Sequence, residues 1–348
     1  MSFIHKEMKM LKKYFIAVLI TVIAVQTGFT GKTGKTGWMI FRKARSAKFK
    51  PITVTPVMAV RGDLSGVFYN PGVLAFNTRQ EIFFLSELGL SEDMFGGLVY
   101  GHPLKNACIA GGLLYYDAGN IELNWLESGV LKSDNVNAQR DILGIASYGR
   151  KINDRLALGV TVKMATSRLV ERASSNAFAA DVGGLFVLPE KNLSFTGAVQ
   201  NLGSSSKFVE KANPLPLSAF LGAGYAIEFG EYYMTPGCDL TYLIDEERMV
   251  PELGFELGRN PFSVNFGYSF NVAEAKWHIG FTLLKDKYDI AYGYLPGTYL
   301  DATHRISMGF GFGPDRAIVS QEEAPKKVTK EPAKKKDKKS EDKDKEKK

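Results

Sequence analysis

The residues best suited to chemistry in this chain are few and scattered. Histidines stand at His5, His102, His278 and His304, and cysteines at Cys108 and Cys238. A transition-metal site announces itself as His or Cys pairs at short spacing, and none of these six has such a partner, so no metal or other cofactor is expected. The cysteines are expected as isolated thiols packed in a wall, too far apart for a disulfide. A Ser–His hydrolase would need a hydroxyl and an imidazole on one face; Ser263 or Ser307 could share a face with His278 by strand parity, but nothing local supports it, and no enzyme is expected. The run Gly31 to Thr36, G-K-T-G-K-T, lacks the Gly that a phosphate loop requires five residues before each Gly-Lys-Thr, where Gln26 and Phe29 stand instead. Arg61-Gly62-Asp63 is read as a chance tripeptide.

The net charge of +7 does not point to nucleic acid, because of where it lies. Lys326 to Lys348 holds twelve Lys against six acidic residues, and the first 25 residues hold four Lys and one Glu. The body between carries about −2 and has no basic field. Mean hydropathy is −0.10 with 45% hydrophobic residues. After the first thirty residues no stretch approaches the ~20 apolar residues of a spanning helix, which excludes a polytopic helical membrane protein. A membrane β-barrel stays open, since its strands alternate lipid-facing and lumen-facing residues; 23 Phe, 15 Tyr and 35 Gly fit that pattern.

The elements that would carry these side chains are strands. From Arg155 to Arg168 the apolar Leu156, Leu158, Val160, Val162 and Met164 alternate with polar or small residues. The same period of two recurs at Phe262 to Asn271, Glu252 to Leu257 and Arg305 to Phe312. Turn signals divide the chain into strands near 79–88, 93–103, 106–125, 138–150, 155–171, 176–188, 191–202, 215–228, 231–244, 247–258, 261–271, 274–284, 286–296 and 303–313. This is an all-β chain: a transmembrane antiparallel barrel of about fourteen strands. Links alternate between short ones (His102 to Lys105, Lys151 to Asp154, Pro189-Glu190, Gly230, Arg259-Asn260, Asp286) and longer ones (Leu126 to Asn137, Gly203 to Pro214, Gly297 to Ala302). That alternation places short turns on a periplasmic rim and long loops outside. Parity points Arg155, Lys163, Asp181, Asp239, Glu252, Glu256, Asp289 and Arg305 inward, as a lumen network holding whatever fills the barrel.

Asp63 to Ala75, D-L-S-G-V-F-Y-N-P-G-V-L-A, stands between an irregular basic leader and the first strand. Asn70-Pro71-Gly72 is a turn signal, with Pro71 removing a donor and Gly72 tolerating positive φ. The stretch resembles the "small, aromatic, Asn-Pro, two small residues, Leu-Ala" element of FadL-type outer-membrane proteins, and especially of their PorV/PorQ-like relatives. Two further stretches are similar to the same family: Ala198 to Phe229, with Gln-Asn-Leu-Gly and Pro-Leu-Pro, and Thr303 to Ser307 followed by Gly-Phe repeats. The resemblance implies a hatch inside the barrel, shaped by Phe68, Tyr69, Asn70, Pro71 and Gly72. It also implies an outer loop shaped by Gln200, Asn201, Leu202, Gly203, Pro214, Leu215 and Pro216.

The organisation expected is a signal peptide over 1–27, from the apolar run Tyr14 to Val25 behind a basic start; a periplasmic segment and hatch over 28–78; the barrel over 79–313; and a disordered Lys-rich tail over 314–348. The resemblance implies transport or protein secretion, with the chain as a PorV-like component of type nine secretion that binds or shuttles secreted cargo. The alternative is a FadL-like channel for long-chain fatty acids or other hydrophobic compounds. Expected partners are outer-membrane lipid, secreted proteins or hydrophobic small molecules, and an anionic periplasmic partner for the tail, but no nucleic acid. The expected location is the bacterial outer membrane, with tail and N-terminus periplasmic.

Overall fold

The computed structural model describes residues 36–43, 45–48, 63–89, 93–208, 210 and 212–314. The expected signal peptide and tail lie outside these residues, as do the two Gly-Lys-Thr repeats up to Lys35 and the residues 49–62.

Seventeen strands follow one another: β1 Gln80–Leu88, β2 Met94–Leu104, β3 Ala107–Asp117, β4 Asn120–Glu127, β5 Val130–Asn137, β6 Gln139–Lys151, β7 Leu156–Leu169, β8 Ala173–Leu188, β9 Leu193–Ser205, β10 Ser218–Tyr225, β11 Ile227–Phe229, β12 Tyr232–Leu243, β13 Arg248–Arg259, β14 Phe262–Ser269, β15 Trp277–Lys285, β16 Tyr288–Leu295 and β17 Thr303–Phe312. Fourteen of them form a closed antiparallel barrel. Every neighbour pairs in sequence order, β17 returns to β1 with Gln80 opposite Phe312, and the wall is continuous where β10 pairs with β12. Closure leaves no unpaired edge in the wall. The three-residue β11 continues β10 along β12 past Ala226.

The period-two pattern decides which face is which. In β7, Leu158, Val160, Val162 and Met164 are exposed on the outside, while Ala157, Thr161, Lys163 and Ala165 are buried inside. β14 and β17 repeat this, with Phe262, Val264, Phe266, Ile306, Met308 and Phe310 outward and Ser263, Asn265, Arg305 and Ser307 inward. Aromatic rings gather on the outside near the short-turn rim: Tyr100 stacks on Phe312 at 6.2 Å, Phe229 on Tyr232 at 6.0 Å, and Tyr288 packs against Phe310 at 5.3 Å.

Two sequence expectations are corrected. The strand expected over 106–125 ends at Asp117, and the long loop expected from Leu126 to Asn137 is mostly strand: β4 and β5 pair with each other alone, from Asn120 opposite Asn137 to Glu127 opposite Val130. The reason is local. Ser128 and Gly129, both at positive φ, close a two-residue turn, and the ribbon they make stands off the barrel rim. Second, β9 runs past the expected end at 202 to Ser205, so Gly203, with Gln200 to Leu202 before it, lies in the strand rather than opening the outer loop.

Candidate functional site

The lumen is occupied by the chain's own N-terminal residues. Asp63 caps a 3-10 turn over Leu64–Phe68, its carboxylate accepting the Ser65 amide at 2.8 Å. Asn70 caps a second turn, Pro71–Phe76, by accepting the Gly72 amide at 2.8 Å, with Pro71 at the first helical position. Every residue from Asp63 to Phe76 is buried. Gly72 is not at positive φ. What it supplies is room: a Cβ there would stand 3.2 Å from both the Ala157 carbonyl oxygen and the Gly184 Cα.

The wall beneath this hatch is made of glycine. Gly149 of β6 is paired with Gly159 of β7, and Gly159 with Gly183 of β8, so three glycines form one row across three strands. Added Cβ atoms would meet the Pro71 carbonyl oxygen at 2.4 Å from Gly149, the Pro71 carbonyl carbon at 2.3 Å from Gly159, and Asn70 Oδ1 at 2.3 Å from Gly183. The row lets the hatch backbone lie directly on the wall backbone. Side chains then fix its position along the row. The Asn70 amide donates to the Gly184 carbonyl at 2.8 Å and to Thr196 Oγ1 at 2.6 Å, and the Gln200 amide donates to the Phe68 and Tyr69 carbonyls, each at 3.0 Å.

A second segment packs over the hatch. The short helix α1, Met39–Lys43, buries Ile40 and Phe41 behind Trp38. These join Phe68, Tyr69, Leu74, Phe83, Phe95, Leu114, Tyr116 and Leu215 in one apolar core inside the barrel, with half-buried Phe208 tilted on Trp38 at 5.7 Å. Ion pairs tie the segment to the wall: Lys43 bridges Glu87 and Asp93, Arg42 meets Glu246, and Lys48 joins Asp63 of the hatch at 3.0 Å to Asp289 of β16. The Tyr69 hydroxyl accepts the Ser46 amide and donates to the Lys48 carbonyl. Burial opposes charge on Lys48, but the Asp289 and Asp63 carboxylates outweigh it and raise its pKa. Burial likewise pushes Asp63 up, yet the Lys48 charge and the hydrogen bonds from Ser65 and Lys48 hold it below the ordinary carboxylate value. Burial raises the Tyr69 hydroxyl.

The expected lumen charges divide. Lys163 and Asp181 pair at 2.6 Å, both buried, and the Lys163 ammonium lies 5.7 Å from the centre of the Phe41 ring. Arg305 pairs with Glu87, Glu252 accepts from Ser269 at 2.8 Å, and Glu256 accepts from the Tyr233 hydroxyl at 2.7 Å. Asp239 is buried on β12. Arg155 is corrected: it precedes β7 at the short-turn rim, exposed, and meets Glu190 at 3.2 Å, because the turn from Ile152 places it beyond the wall. Of the expected outer-loop residues, Gln200 and Asn201 are buried and face inward, Leu202 faces outward, Gly203 is exposed, Pro214 is exposed, and Leu215 and Pro216 are buried.

Among the described residues no His, Cys, Asp and Glu group has the makings of a metal site, and neither cysteine is in a disulfide. His278 is buried on β15 opposite Gly267, while Ser263 lies four positions further along β14, ~13 Å by the strand rise, so the two are not brought together.

Lys43, Lys48, Glu87, Thr196 and the glycine row join the site without a signal in the sequence that singles them out. The lysines sit in an irregular leader with no periodicity to read. The glycines were visible as inward positions of adjacent strands, and only the register aligns them.

No family model matches the chain, and no curated protein is detectably similar to it in sequence. Solved structures with a similar path exist. The Pseudomonas putida toluene transporter TodX shares 12% identity at a TM-score of 0.49, over 76% of this chain and 98% of that one. The CymD monoaromatic hydrocarbon channel shares 12% at 0.49, over 77% and 100%. A Pseudomonas aeruginosa FadL homologue shares 10% at 0.47, over 82% and 99%. What these names say of transported compounds is said of those proteins.

Proposed function

We propose that this protein is an outer-membrane channel that passes hydrophobic small molecules around a hatch. The observation that carries the reading is the character of the lumen. A diffusion porin keeps a polar, water-filled interior. Here Trp38, Phe41, Phe68, Phe95, Leu114, Tyr116, Phe208 and Leu215 make an apolar core within the lumen, beside the Lys163–Asp181 and Arg305–Glu87 ion pairs, inside a wall whose outer face is itself an apolar belt with aromatics at both rims. Such an interior favours fatty acyl chains or aromatic hydrocarbons over ions and sugars. Short turns and both barrel ends share one rim, which supports a periplasmic N-terminus and tail.

The test is uptake. Cells with the full-length protein in an outer membrane lacking other hydrophobic channels should accumulate labelled oleate or toluene faster than cells without it, while purified protein shows little steady conductance in planar bilayers. Uptake equal to the control would overturn the reading.

One observation favours the second reading, a PorV-like role in type nine secretion. The β4–β5 ribbon reaches ~26 Å along its eight residues and ends in Leu126, Val130 and Leu131, all well exposed, as a surface for a polypeptide. Recovery of secreted proteins sharing a C-terminal domain with the barrel purified in mild detergent would support it.

A further inference from the structure

The hatch and the loop after β9 are joined by a single defect in the wall. Between β8 and β9 the register shifts, with Ala180 opposite Leu202 but Val182 opposite Val199, so that Gln200 and Asn201 together face Asp181. This is a β-bulge, and Asn201 takes the left-handed conformation within it, at φ 61°. Its consequence is that two successive residues point inward, where a regular strand would send one of them out to the belt. Val199 and Leu202 on either side are exposed outside.

The two inward side chains reach in different directions. Gln200 donates to the Phe68 and Tyr69 carbonyls of the hatch. Asn201 donates to the Pro216 carbonyl at 3.0 Å, accepts from Lys163 at 2.8 Å, and donates its backbone amide to the Asp181 carboxylate at 2.7 Å. Lys163 in turn faces the Phe41 ring of α1. Residues 213–217 lie at the long-loop rim: the Asn213 carbonyl accepts from Ser205 at 2.6 Å, and Leu215 enters the apolar core that also holds Trp38.

We propose that Gln200 and Asn201 are positioning residues that couple residues 213–217 at the mouth to the hatch, so that a hydrophobic molecule displacing Leu215 from the core loosens the hatch through the bulge. The functional part of this statement rests on the channel reading; the coupling itself does not. A coupling between two sites acts in both directions, so the hatch must also influence the mouth.

The experiment is hydrogen exchange by mass spectrometry on the full-length protein in detergent, reading peptides that cover 63–77 and the Asn213, Leu215 and Leu217 amides of 213–217, the two prolines there having none. Asn201→Gly keeps the left-handed backbone and removes only the side chain; Leu202→Ala, outside the barrel, is the control. Losing a buried hydrogen bond shifts a local opening equilibrium by about tenfold. Asn201→Gly should therefore raise exchange in 63–77 about tenfold, although Asn201 does not touch the hatch, and Leu202→Ala should leave it unchanged. Gln200→Ala, which releases only the hatch, should raise exchange in 213–217, and it reads the same coupling should Asn201→Gly fail to give a heat-modifiable barrel. Exchange confined to the mutated side in either variant overturns the proposal. Adding oleate to the native protein should raise exchange at 63–77 in parallel with 213–217. Coupling in the variants without oleate uptake by cells would leave the bulge intact as a device and remove the channel reading instead.

Discussion

Gly159 lies directly beneath Pro71: a Cβ on the glycine would stand 2.3 Å from the proline carbonyl carbon, closer than any side chain could be accommodated. The hatch is therefore seated on a wall that has been cleared for it, and the clearing belongs to β6, β7 and β8 rather than to the hatch sequence. Gly159→Ala should leave the barrel able to close, because Ala is ordinary in a strand, while lifting the hatch off its seat. Overpacking of this kind costs about 1–3 kcal/mol. The purified variant should keep heat-modifiable migration and lose protease resistance between residues 63 and 77. A hatch as resistant as in the native protein would mean that the row is not its seat.

Asn70 makes the second test of the seat. Its one side chain caps the Pro71–Phe76 turn and donates to Gly184 and Thr196. Asn70→Ala leaves those acceptors buried with one partner fewer, a loss of about 1–3 kcal/mol. Planar bilayers should record frequent, brief conductance bursts from Asn70→Ala where the native protein is quiet. Asn70→Asp, which keeps the cap but cannot donate, should burst as well, separating the wall contacts from the turn.

Much of the barrel could be read from the chain because period two is imposed by the wall itself. Leu158, Val160, Val162 and Met164 declare an outside, and Thr161 and Lys163 an inside, without any knowledge of neighbours. What failed was whatever depended on pairing. The residues from Asn120 to Trp125 read as an extension of β3 and Leu126 onward as loop, yet Asn120 to Glu127 pair with β5 because Ser128-Gly129 turns the chain before it can rejoin the wall. The strand over 191–202 is legible in the sequence but not the bulge within it, where Asn201 adopts a left-handed conformation, nor the continuation of β9 through Gly203 to Ser205. The hatch stretch was legible as irregular and Gly-Pro marked; its seat was not, since Gly149, Gly159 and Gly183 become one surface only when three registers are known.

The Lys48–Asp63 pair gives the hatch a defined pH range. Asp63 is depressed in the folded protein from an ordinary value of 3.8, so its contribution is complete above that pH and is lost as pH falls through the lower folded value. Lys48 is raised from 10.5, so its contribution is complete below that pH and is lost only as pH rises through the higher folded value. Between about pH 4 and pH 10 both members of the Lys48–Asp63 pair should stay charged. Bilayer recordings should stay quiet over that window and become noisy as the bath is acidified below it, whereas Asp63→Asn should be noisy at neutral pH. Noise in the native protein that rises near pH 6 to 7 would assign the control to another group.

The outer face supplies the sharpest test of the membrane itself. Val162 of β7 is 56% exposed between Val160 and Met164, and Leu126 at the end of the β4–β5 ribbon is 72% exposed. To water these are equivalent: a surface aliphatic changed to arginine costs little in either place. To a bilayer they are not, because Val162 sits within the apolar belt and Leu126 beyond the rim. Arginine on the lipid face of a barrel costs about 2–4 kcal/mol near the midplane and about 0–1 kcal/mol near the interface. Urea titrations of the protein folded into lipid vesicles should therefore show Val162→Arg destabilised by that larger amount and Leu126→Arg close to native. Equal stability of the two variants would mean that the belt does not face lipid, and the channel, the hatch and the mouth would all have to be reread as parts of a barrel in water.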